Sequence, residues 1–434
     1  MSPTMLGVLG IAVLLALIFT RMPVAYVMTL VGFVGFAILV SPDAALSMLA
    51  RAFYDVYSSY GLTVIPLFIF MGQIAFNAGI SRRLYDSAYK MVGSYPGGLA
   101  TATVCACTAF GSVCGSSPAT AATMATVGLP EMKRYGYADE LATGSVAAGG
   151  GLGMLMPPSV VLIVYGILTE ESIGKLFVAG VVPAVFITIL FALAVWFYCK
   201  AAPEQGPACD AYAWSDRLRS LVHTLDTMLV FFFVMAGLFL GWFTANEAGA
   251  VGAASVLIIS LLRRQINWSS FVKSIYETLR TSCMVLLLVA GAAVFGYFLN
   301  RTRIPFDVAQ LVASMEMPGW VIISMIVLVY LIGGCIIDAL ALIMLTIPIF
   351  HPIIMDLGYD PIWFGIIIVL VTQMGVITPP VGINVYVVNG IAHKVPLEKI
   401  FTGVLPFLAA LIVGTAFLVA FPIIVMWLPN LMYS

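Results

Sequence analysis

The sequence predicts an all-α, polytopic membrane protein built from two inverted repeats, each with a re-entrant helical hairpin and an interrupted transmembrane helix. Of its 434 residues, 62% are hydrophobic and 9% are charged, and the mean hydropathy is +1.09. This composition excludes a water-soluble domain with a single core. The formal net charge of -1 gives no reason to expect nucleic acid as a partner. Glycine and proline interrupt several apolar segments, and the interrupted pattern occurs twice.

Residues 1–60 predict scaffold spans and an interfacial helix. The apolar runs Met5–Thr20 and Met22–Val40 approach the roughly 20 residues that a bilayer crossing needs. Arg21 follows the first run and no basic residue precedes it, which is the reverse of a secretory signal. We therefore expect an uncleaved first span with a periplasmic N-terminus. Pro42–Tyr60 carries three charged residues and predicts a helix at the interface.

Residues 61–200 predict the first repeat, whose hairpin (97–132) is interrupted at Gly111–Pro118, GSVCGSSP. Glycine loosens a helix and proline removes a donor, so the helix should break there. Ser116 or Ser117 followed by proline has the form of an N-cap, which predicts a second half-helix from Pro118. The crossing at 138–168 is broken in the same way. In hydrocarbon, such breaks survive only where they line a cavity or are buried in protein.

A cytoplasmic linker at 201–223, which includes Asp210, separates two related halves. Residues 224–281 predict further scaffold spans, and 282–434 predict the second repeat, with a hairpin at 319–352 and a broken helix at 361–392. A shift of 222 positions superposes helix-breaking residues without a gap. The superposed pairs include Gly111 on Gly333, Pro130 on Pro352, Gly153 on Gly375 and Pro157-Pro158 on Pro379-Pro380. We interpret this register as an internal repeat.

The charge distribution predicts the topology. With a periplasmic N-terminus, 15 of the 19 basic residues face the cytoplasm, Arg21 among them, and Arg51, Lys175, Arg301 and Arg303 do not. Several acidic residues, including Glu316, face the periplasm. An odd number of crossings separates the two hairpins, so the repeats are inverted. Inverted repeats with paired interrupted helices are typical of secondary transporters, whose substrate and ion sites lie near the midplane.

The four breaks expose carbonyl groups that suit a hard monovalent cation and helix N-termini that favour an anionic group. We predict two Na⁺ sites and an adjoining substrate site. The candidates for the first Na⁺ site are Ser112, Cys114, Ser116, Ser117, Gly151, Met154 and Met156. Those for the second are Gly334, Asp338, Gln373, Gly375 and Thr378. Those for the substrate are Ser116, Ser117, Pro157, Ser159, Pro379 and Asn384, with Arg301 and Arg303 as further candidates.

Some of these side chains have structural alternatives. Serines in membrane helices often cap helices or bond between them. Asp338 is the one charge between Val321 and Phe350, and it can cap its half-helix, couple an ion, or do both. Arg301 and Arg303 either snorkel to the interface or attract an anion. No P-loop is present, and no nucleophile with a nearby histidine lies in the spans, so we expect neither an enzyme nor a cofactor.

With these motifs, the chain resembles the large permease (DctM-like) subunit of the tripartite ATP-independent periplasmic (TRAP) transporters. The resemblance rests on GSVCGSSPATAATMATVGLPEMKRYGY, GGGLGMLMPPS, GGCIIDALALIMLTIP and MGVITPPVGINVYV, and it covers almost the whole chain. It implies an elevator-type fold of the ion-transporter superfamily in the bacterial inner membrane. It also implies Na⁺-driven import of a small organic acid, with a small four-helix membrane subunit and a periplasmic binding protein as partners. The family more often has serine where this chain has Cys114.

Other functions predict other features. A self-sufficient sodium/dicarboxylate symporter of the same superfamily should carry Ser-Asn-Thr at its tips, and neither tip does. A membrane enzyme or a proton pump should carry lysines and glutamates in mid-span, and those are missing. The identity of the acid is not encoded in any motif of this chain.

Overall fold

The computed structural model describes residues 2–20, 22–209, 212–314 and 317–432, apart from the side chains of 223, 226, 227, 309, 312 and 313. Arg21, Asp210 and Glu316, which entered the predictions above, lie outside the described residues. The described part of the chain is mainly helical and contains no strand. The predicted all-α fold, with two inverted repeats that each contain a re-entrant hairpin and an interrupted helix, is confirmed.

The described residues of the first half of the chain form ten α-helices. In order they are α1 (Pro3–Phe19), α2 (Val24–Leu39), α3 (Pro42–Ser58), α4 (Val64–Asn77), α5 (Ile80–Val92), α6 (Gly98–Cys114), α7 (Ser117–Arg134), α8 (Asp139–Gly151), α9 (Val160–Thr169) and α10 (Ile173–Ala201). The first hairpin is α6–α7, and the first interrupted helix is α8–α9. Short 3-10 turns precede α4 and follow α8.

The second half repeats the series. Its helices are α11 (Trp214–Phe239), α12 (Ala245–Leu262), α13 (Trp268–Thr302), α14 (Ile304–Ser314), α15 (Gly319–Gly334), α16 (Ala339–Asp356), α17 (Pro361–Gly375), α18 (Ile383–Ile391), α19 (Leu397–Ala420) and α20 (Pro422–Met432). Adding 222 to the bounds of α7 gives the bounds of α16, and α8 and α17 begin at equivalent residues. The repeat also extends beyond the predicted region, because α2 and α12 superpose at the same shift.

Two helices differ from the sequence prediction. The 35-residue α13 is continuous and corresponds to both α3 and α4. The first repeat bends at Ser59–Gly61, and Gly61 has Cys283 as its counterpart, so α13 lacks the flexible residue. In addition, α11 begins at Trp214, so the hydrophilic loop after α10 is shorter than predicted.

Six helices among the described residues are long and apolar enough to cross a membrane. They are Tyr60–Asn77, Ile173–Ala201, Ala245–Leu262, Trp268–Thr302, Ala339–Asp356 and Leu397–Ala420. One of the six, Ala339–Asp356, is the second half-helix of the second hairpin. The other half-helices are shorter than 18 residues, except α7, which has 18 residues and contains Pro130. The helix α3, which the sequence predicts at the interface, is strongly amphipathic, and Ser41 caps it by accepting from the Ala44 N–H at 3.2 Å.

Helices of the two repeats contact each other in matching pairs. The second half of each broken helix packs on the second half of the other repeat's hairpin, α9 on α16 and α18 on α7. Likewise α19 packs along α8, and α10 along α17. A second group of helices, α1, α2, α4, α12 and α13, packs among itself. We call the first group the core and the second group the arm; they meet where α4 and α13 contact the hairpins and α9.

Candidate functional site

A cavity of about 290 Å³ lies between the two hairpin tips and the arm. Residues 114–119 of the first tip and 338–340 of the second line it from the core. From the arm, α4 contributes Ile69, Gly72 and Gln73, and α13 contributes Thr281, Met284 and Val285. The remaining lining residues are Met154, Val160, Val161, Val376, Ile383 and Asn384. Both repeats therefore bring their breaks to one chamber, as the inverted-repeat prediction requires.

The first tip is held in place by its backbone. Gly115 adopts a left-handed conformation with φ of +65°, and its N–H donates to the Gly111 carbonyl at 2.8 Å. A Cβ on Gly115 would lie 2.6 Å from the Pro158 carbonyl oxygen, so only glycine fits. The Gly115 carbonyl in turn accepts from the Val160 N–H at 3.3 Å. The tip is thus fastened to the break of its own repeat's crossing.

The second tip is held by an equivalent bond. The Val381 N–H, just beyond the prolines of the second broken helix, donates to the Cys335 carbonyl at 3.2 Å. In both repeats the backbones also touch at glycines. A Cβ on Gly111 would lie 2.7 Å from the Gly153 Cα, and one on Gly375 would lie 2.4 Å from the Gly334 carbonyl carbon. Each unwound crossing therefore lies directly against the tip of its own hairpin.

Asn384 links the two repeats at the cavity wall. It is fully buried, and its Nδ2 donates to Ser117 Oγ at 2.8 Å and to the Ala147 carbonyl at 3.0 Å. Ser117 and Ala147 belong to the first repeat, whereas Asn384 belongs to the second. A buried amide that satisfies partners on two helices fixes their relative position.

Asp338 and Ser116 occupy equivalent positions at the two tips but bond differently. The Asp338 carboxylate accepts from the Leu340 N–H at 3.1 Å and caps α16, so the predicted capping role is confirmed. Ser116 is the N-cap residue of α7, but its side chain makes no capping bond. The half-helix begins at Ser117, one residue before the predicted start. The first N–H groups of α7 are therefore not capped by a side chain.

Gln373 lies at the centre of the core. It is the equivalent of Gly151 under the 222 shift, and a Cβ on Gly151 would lie 2.6 Å from Gln373 Cγ. The side chain is fully buried, and neither Oε1 nor Nε2 has a hydrogen-bond partner. Leaving such a buried amide unpaired costs about 1 to 3 kcal/mol of stability. The cost is explained if the amide binds a ligand or has another function.

The structure brings together part of the predicted site. Cys114, Ser116, Ser117, Met154, Asp338 and Asn384 line the cavity. The remaining core candidates do not: Ser112, Gly151, Met156, Pro157, Ser159, Gly334, Gln373, Gly375, Thr378 and Pro379. Several of them make local bonds: Ser112 Oγ donates to the Ala109 carbonyl, Ser159 Oγ to the Met154 carbonyl and Thr378 Oγ1 to the Met374 carbonyl.

Arg301 and Arg303 lie far from the cavity along α13. Arg301 is sixteen residues beyond the cavity-lining Val285, or about 24 Å along a helix axis. Arg303 has φ of +63°, and its guanidinium lies 5.2 Å from the Phe306 ring centroid. The structure therefore does not bring either arginine to the chamber.

Sequence reasoning missed the arm's contribution. Gln73 and Thr281 line the cavity opposite the tips, although neither belongs to a break. Gln73 carried a usable signal, because it is one of few polar residues in the apolar run of α4. Thr281 follows Arg280 on a helix that sequence reasoning began one residue later, and it had no such signal.

The comparison that decides the family covers nearly the whole chain. Residues 11–424 match the model of the tripartite ATP-independent periplasmic transporter, DctM component. The chain belongs to this family.

Curated relatives of this TRAP large permease are similar to it in sequence over nearly the whole chain. It is 35% identical over 394 residues, or 91% of each chain, to the C4-dicarboxylate TRAP transporter large permease protein DctM of Pseudomonas aeruginosa. It is 30% identical to the sialic acid TRAP transporter large permease protein SiaM of Vibrio cholerae, over 96% of this chain and 97% of that one. The two relatives carry different cargoes by name, so membership of the family does not fix the cargo.

The fold of the TRAP permease is shared more widely. The crystal structure of the Alcanivorax borkumensis YdaH transporter superposes with a TM-score of 0.67, covering 99% of this chain and 100% of that one. The sequence identity is 14%, so this likeness concerns the fold alone. With several apolar helices of spanning length, the TRAP permease described here is a multi-pass membrane protein.

Proposed function

We propose that this chain is the transport subunit of a Na⁺-driven importer that carries a small organic acid across the bacterial inner membrane. A periplasmic binding protein delivers the acid, and a small four-helix membrane subunit completes the complex. The observation that carries the proposal is the single cavity shared by both hairpin tips and the arm. A chamber at paired helix breaks can hold a cation on carbonyl groups and an anion on helix N-termini at once.

The N-terminus of α7 supports an anionic cargo. Ser116, Ser117 and Ala119 all line the cavity, and no side chain caps this helix. Uncapped N–H groups carry about half a positive charge together, which favours a carboxylate. No lysine or arginine is among the residues that line this cavity in the described part of the chain. The helix N-terminus is therefore the group we assign to the cargo's carboxylate.

The second predicted Na⁺ site gains support from Gln373. Its Oε1 is a buried acceptor without a donor, and it belongs to the predicted set with Gly334, Asp338, Gly375 and Thr378. Amide and backbone oxygens are suitable ligands for hard cations. We assign Gln373 Oε1 to the coupling ion. For the first site we retain Ser112, Ser116 and Ser117 with backbone of Cys114, Gly151, Met154 and Met156.

The packing supports an elevator movement of the core against the arm. Within the core, α8 and α19 meet backbone to backbone: a Cβ on Gly144 would lie 2.2 Å from the Gly403 carbonyl oxygen. Contacts this close leave no room for sliding. The cavity, by contrast, lies on the boundary between core and arm. We infer that the tips and broken helices move together as one body.

Reconstitution tests the tripartite assignment against a self-sufficient symporter. The acid is first chosen as the one that most raises the melting temperature of the binding protein. Proteoliposomes are then made with the chain alone, with the small subunit, and with both the small subunit and the binding protein. We expect uptake of the labelled acid only in the complete system. Uptake by the chain alone would favour the self-sufficient symporter.

A further inference from the structure

A second cavity, of about 380 Å³, lies at the opposite ends of the two helices that carry Ser117 and Asn384. The ends of α7 and α18 and the start of α8 form it, and it shares no residue with the cargo cavity. Its lining is Ala125, Thr126, Leu129, Pro130, Lys133, Tyr137, Asp139, Ala142, Thr143, Ile391, Ala392, His393, Lys394 and Val395. None of these residues belongs to the arm. The cavity is therefore a separate feature of the core.

The wall and the rim of this cavity differ in chemistry. The wall is mainly aliphatic, with Leu129, Pro130, Ile391 and Val395. The rim carries Lys133, in the last turn of α7, and His393 and Lys394, just beyond the end of α18. All three rim side chains are exposed. An apolar wall below a cationic rim matches an acyl chain below a charged headgroup.

The two lysines form no ion pair with the residues that the structure describes. Nearby, Lys399 Nζ lies 3.0 Å from Glu140 Oε1, which shows that a lysine in this region pairs where a carboxylate is in reach. Among the described residues, no carboxylate lies within 4 Å of Lys133 or Lys394. Asp139 also lines the cavity, in the first turn of α8, where a helix N-terminus stabilises its charge. Two lysines against one aspartate leave the rim positive.

The loop that carries the rim is ordered by its own bonds. Asn389 Nδ2 donates to the Val395 carbonyl at 2.9 Å, and the Val395 N–H donates to the Ala392 carbonyl at 2.8 Å. These bonds fix the positions of His393 and Lys394 relative to α18. The backbone that carries two of the three rim residues is therefore ordered before binding, which lowers the entropy lost on binding.

We propose that this cavity binds one anionic phospholipid of the cytoplasmic leaflet, with its phosphate between Lys133 and Lys394 and an acyl chain along the aliphatic wall. A small organic anion matches the rim but leaves the wall without a partner. Basic pockets between transmembrane helices on the cytoplasmic side are suited to anionic headgroups. The lipid would hold the ends of α7 and α18 together below the cargo cavity.

Native mass spectrometry tests the proposal. The chain is purified with its small subunit in detergent, and phosphatidylglycerol is supplied as the lipid. We expect the double variant Lys133→Gln/Lys394→Gln to retain one phosphatidylglycerol fewer per complex than the wild type. The matched control, Lys273→Gln/Arg280→Gln, removes two exposed cations from α13 and should retain the wild-type number. Equal retention by all three proteins would overturn the proposal.

Two further measurements identify the class of ligand. Phosphatidylcholine, which carries no net charge, should be retained equally by the wild type and the double variant. Ten millimolar malate should not displace the phosphatidylglycerol, and displacement would assign the cavity to a small organic anion instead. Because every rim residue is exposed, we expect all variants to fold, and their elution by size-exclusion chromatography provides the check. Transport is not the readout, so the result does not depend on the proposed sodium coupling or on the proposed cargo.

Discussion

Asp338 stands at the start of α16, where its carboxylate both caps the helix and borders the cavity. The capping role is visible in its bond to the Leu340 N–H. Whether the same carboxylate couples an ion depends on its charge, which a cap does not need. Asparagine caps a helix about as well as aspartate, so one substitution separates the two roles.

We predict that Asp338→Asn keeps the melting temperature of the wild type within about 2 °C but abolishes Na⁺-dependent uptake. Asp338→Ala should also abolish Na⁺-dependent uptake, and in addition it should lower the melting temperature. The missing cap should lower the free energy of unfolding by about 0.5 to 2 kcal/mol. Thermal unfolding in detergent and uptake into proteoliposomes measure the two effects. Wild-type Na⁺ dependence in Asp338→Asn would limit this residue to capping.

Gln373 leads to a second prediction, in which a substitution in the core does not lower the stability of the protein. Because both amide atoms are buried without partners, Gln373→Leu should leave the protein as stable as the wild type or more stable. At the same time, the Na⁺ concentration for half-maximal uptake should rise at least tenfold, since an ion ligand is lost. Thr372→Val is the control, because Thr372 Oγ1 bonds only within its own helix, to the Val369 carbonyl. A loss of stability in Gln373→Leu with unchanged Na⁺ dependence would refute the assignment.

At the residue scale, sequence reasoning found the side chains at breaks and missed those on straight helices. Ser117 and Asp338 were marked by the glycines and prolines around them. Gln73 and Thr281 reach the cavity only because the arm packs against both tips, and no local pattern encodes that packing. Arg301 and Arg303 are the converse case. Their positive charge made them candidates, but Arg301 lies about 24 Å along α13 from the cavity and Arg303 lies just beyond the end of that helix.

At the scale of elements, glycines determine how closely the helices of the core approach. A Cβ on Gly403 would lie 1.9 Å from the Glu140 carbonyl oxygen, and backbone cannot yield as a side chain can. A Cβ added to Gly296, on α13, would have no atom of another helix within 4 Å. Alanine substitution at these two glycines therefore compares a crowded helix contact with an open one.

We predict that Gly403→Ala destabilises the protein by about 1 to 3 kcal/mol, because α8 and α19 must separate. Gly296→Ala should instead be neutral or stabilise it by up to about 1 kcal/mol, through helix propensity. Thermal unfolding of the two variants side by side tests this. Equal melting temperatures would show that the backbone contact of α8 and α19 is not tight.

The elements themselves were largely predictable. The breaks at GSVCGSSP and GGGLGMLMPPS and their counterparts follow from glycine and proline chemistry, and α7 begins one residue from its predicted start. The continuity of α13 was not predicted, because the apolar run that indicates a span begins only at Ser282, after the charged residues Lys273, Glu277 and Arg280. In the structure they continue the helix beyond the apolar run, with Lys273 and Arg280 on its exposed surface.

At the scale of the whole molecule, Asn384 joins the two repeats at the wall of the cavity between the hairpin tips. Its bonds to Ser117 and Ala147 cross from one repeat to the other, so the core should behave as one unit. The sequence alone indicated the repeat and its inversion. It did not indicate which side chains join the halves, because the pairing of residues 267 positions apart depends on the assembled fold.

A double-mutant cycle measures this link. Asn384→Ala and Ser117→Ala should each lower the stability by about 1 to 3 kcal/mol, and the double variant should lose clearly less than the sum. Asn389→Ala is the control on the same helix, because its bond is local. Additive effects of Asn384 and Ser117 would contradict a direct link between the repeats.

The central claim is that one cavity, shared by both tips and the arm, couples a sodium ion to an acid. It is tested most directly by uptake of the labelled acid into proteoliposomes that contain the chain, its small subunit and its loaded binding protein. We predict accumulation when the external medium contains Na⁺ and the lumen contains K⁺. Accumulation should cease when Na⁺ is equal on both sides and no membrane potential is applied. Equal accumulation with and without the sodium gradient would contradict the account.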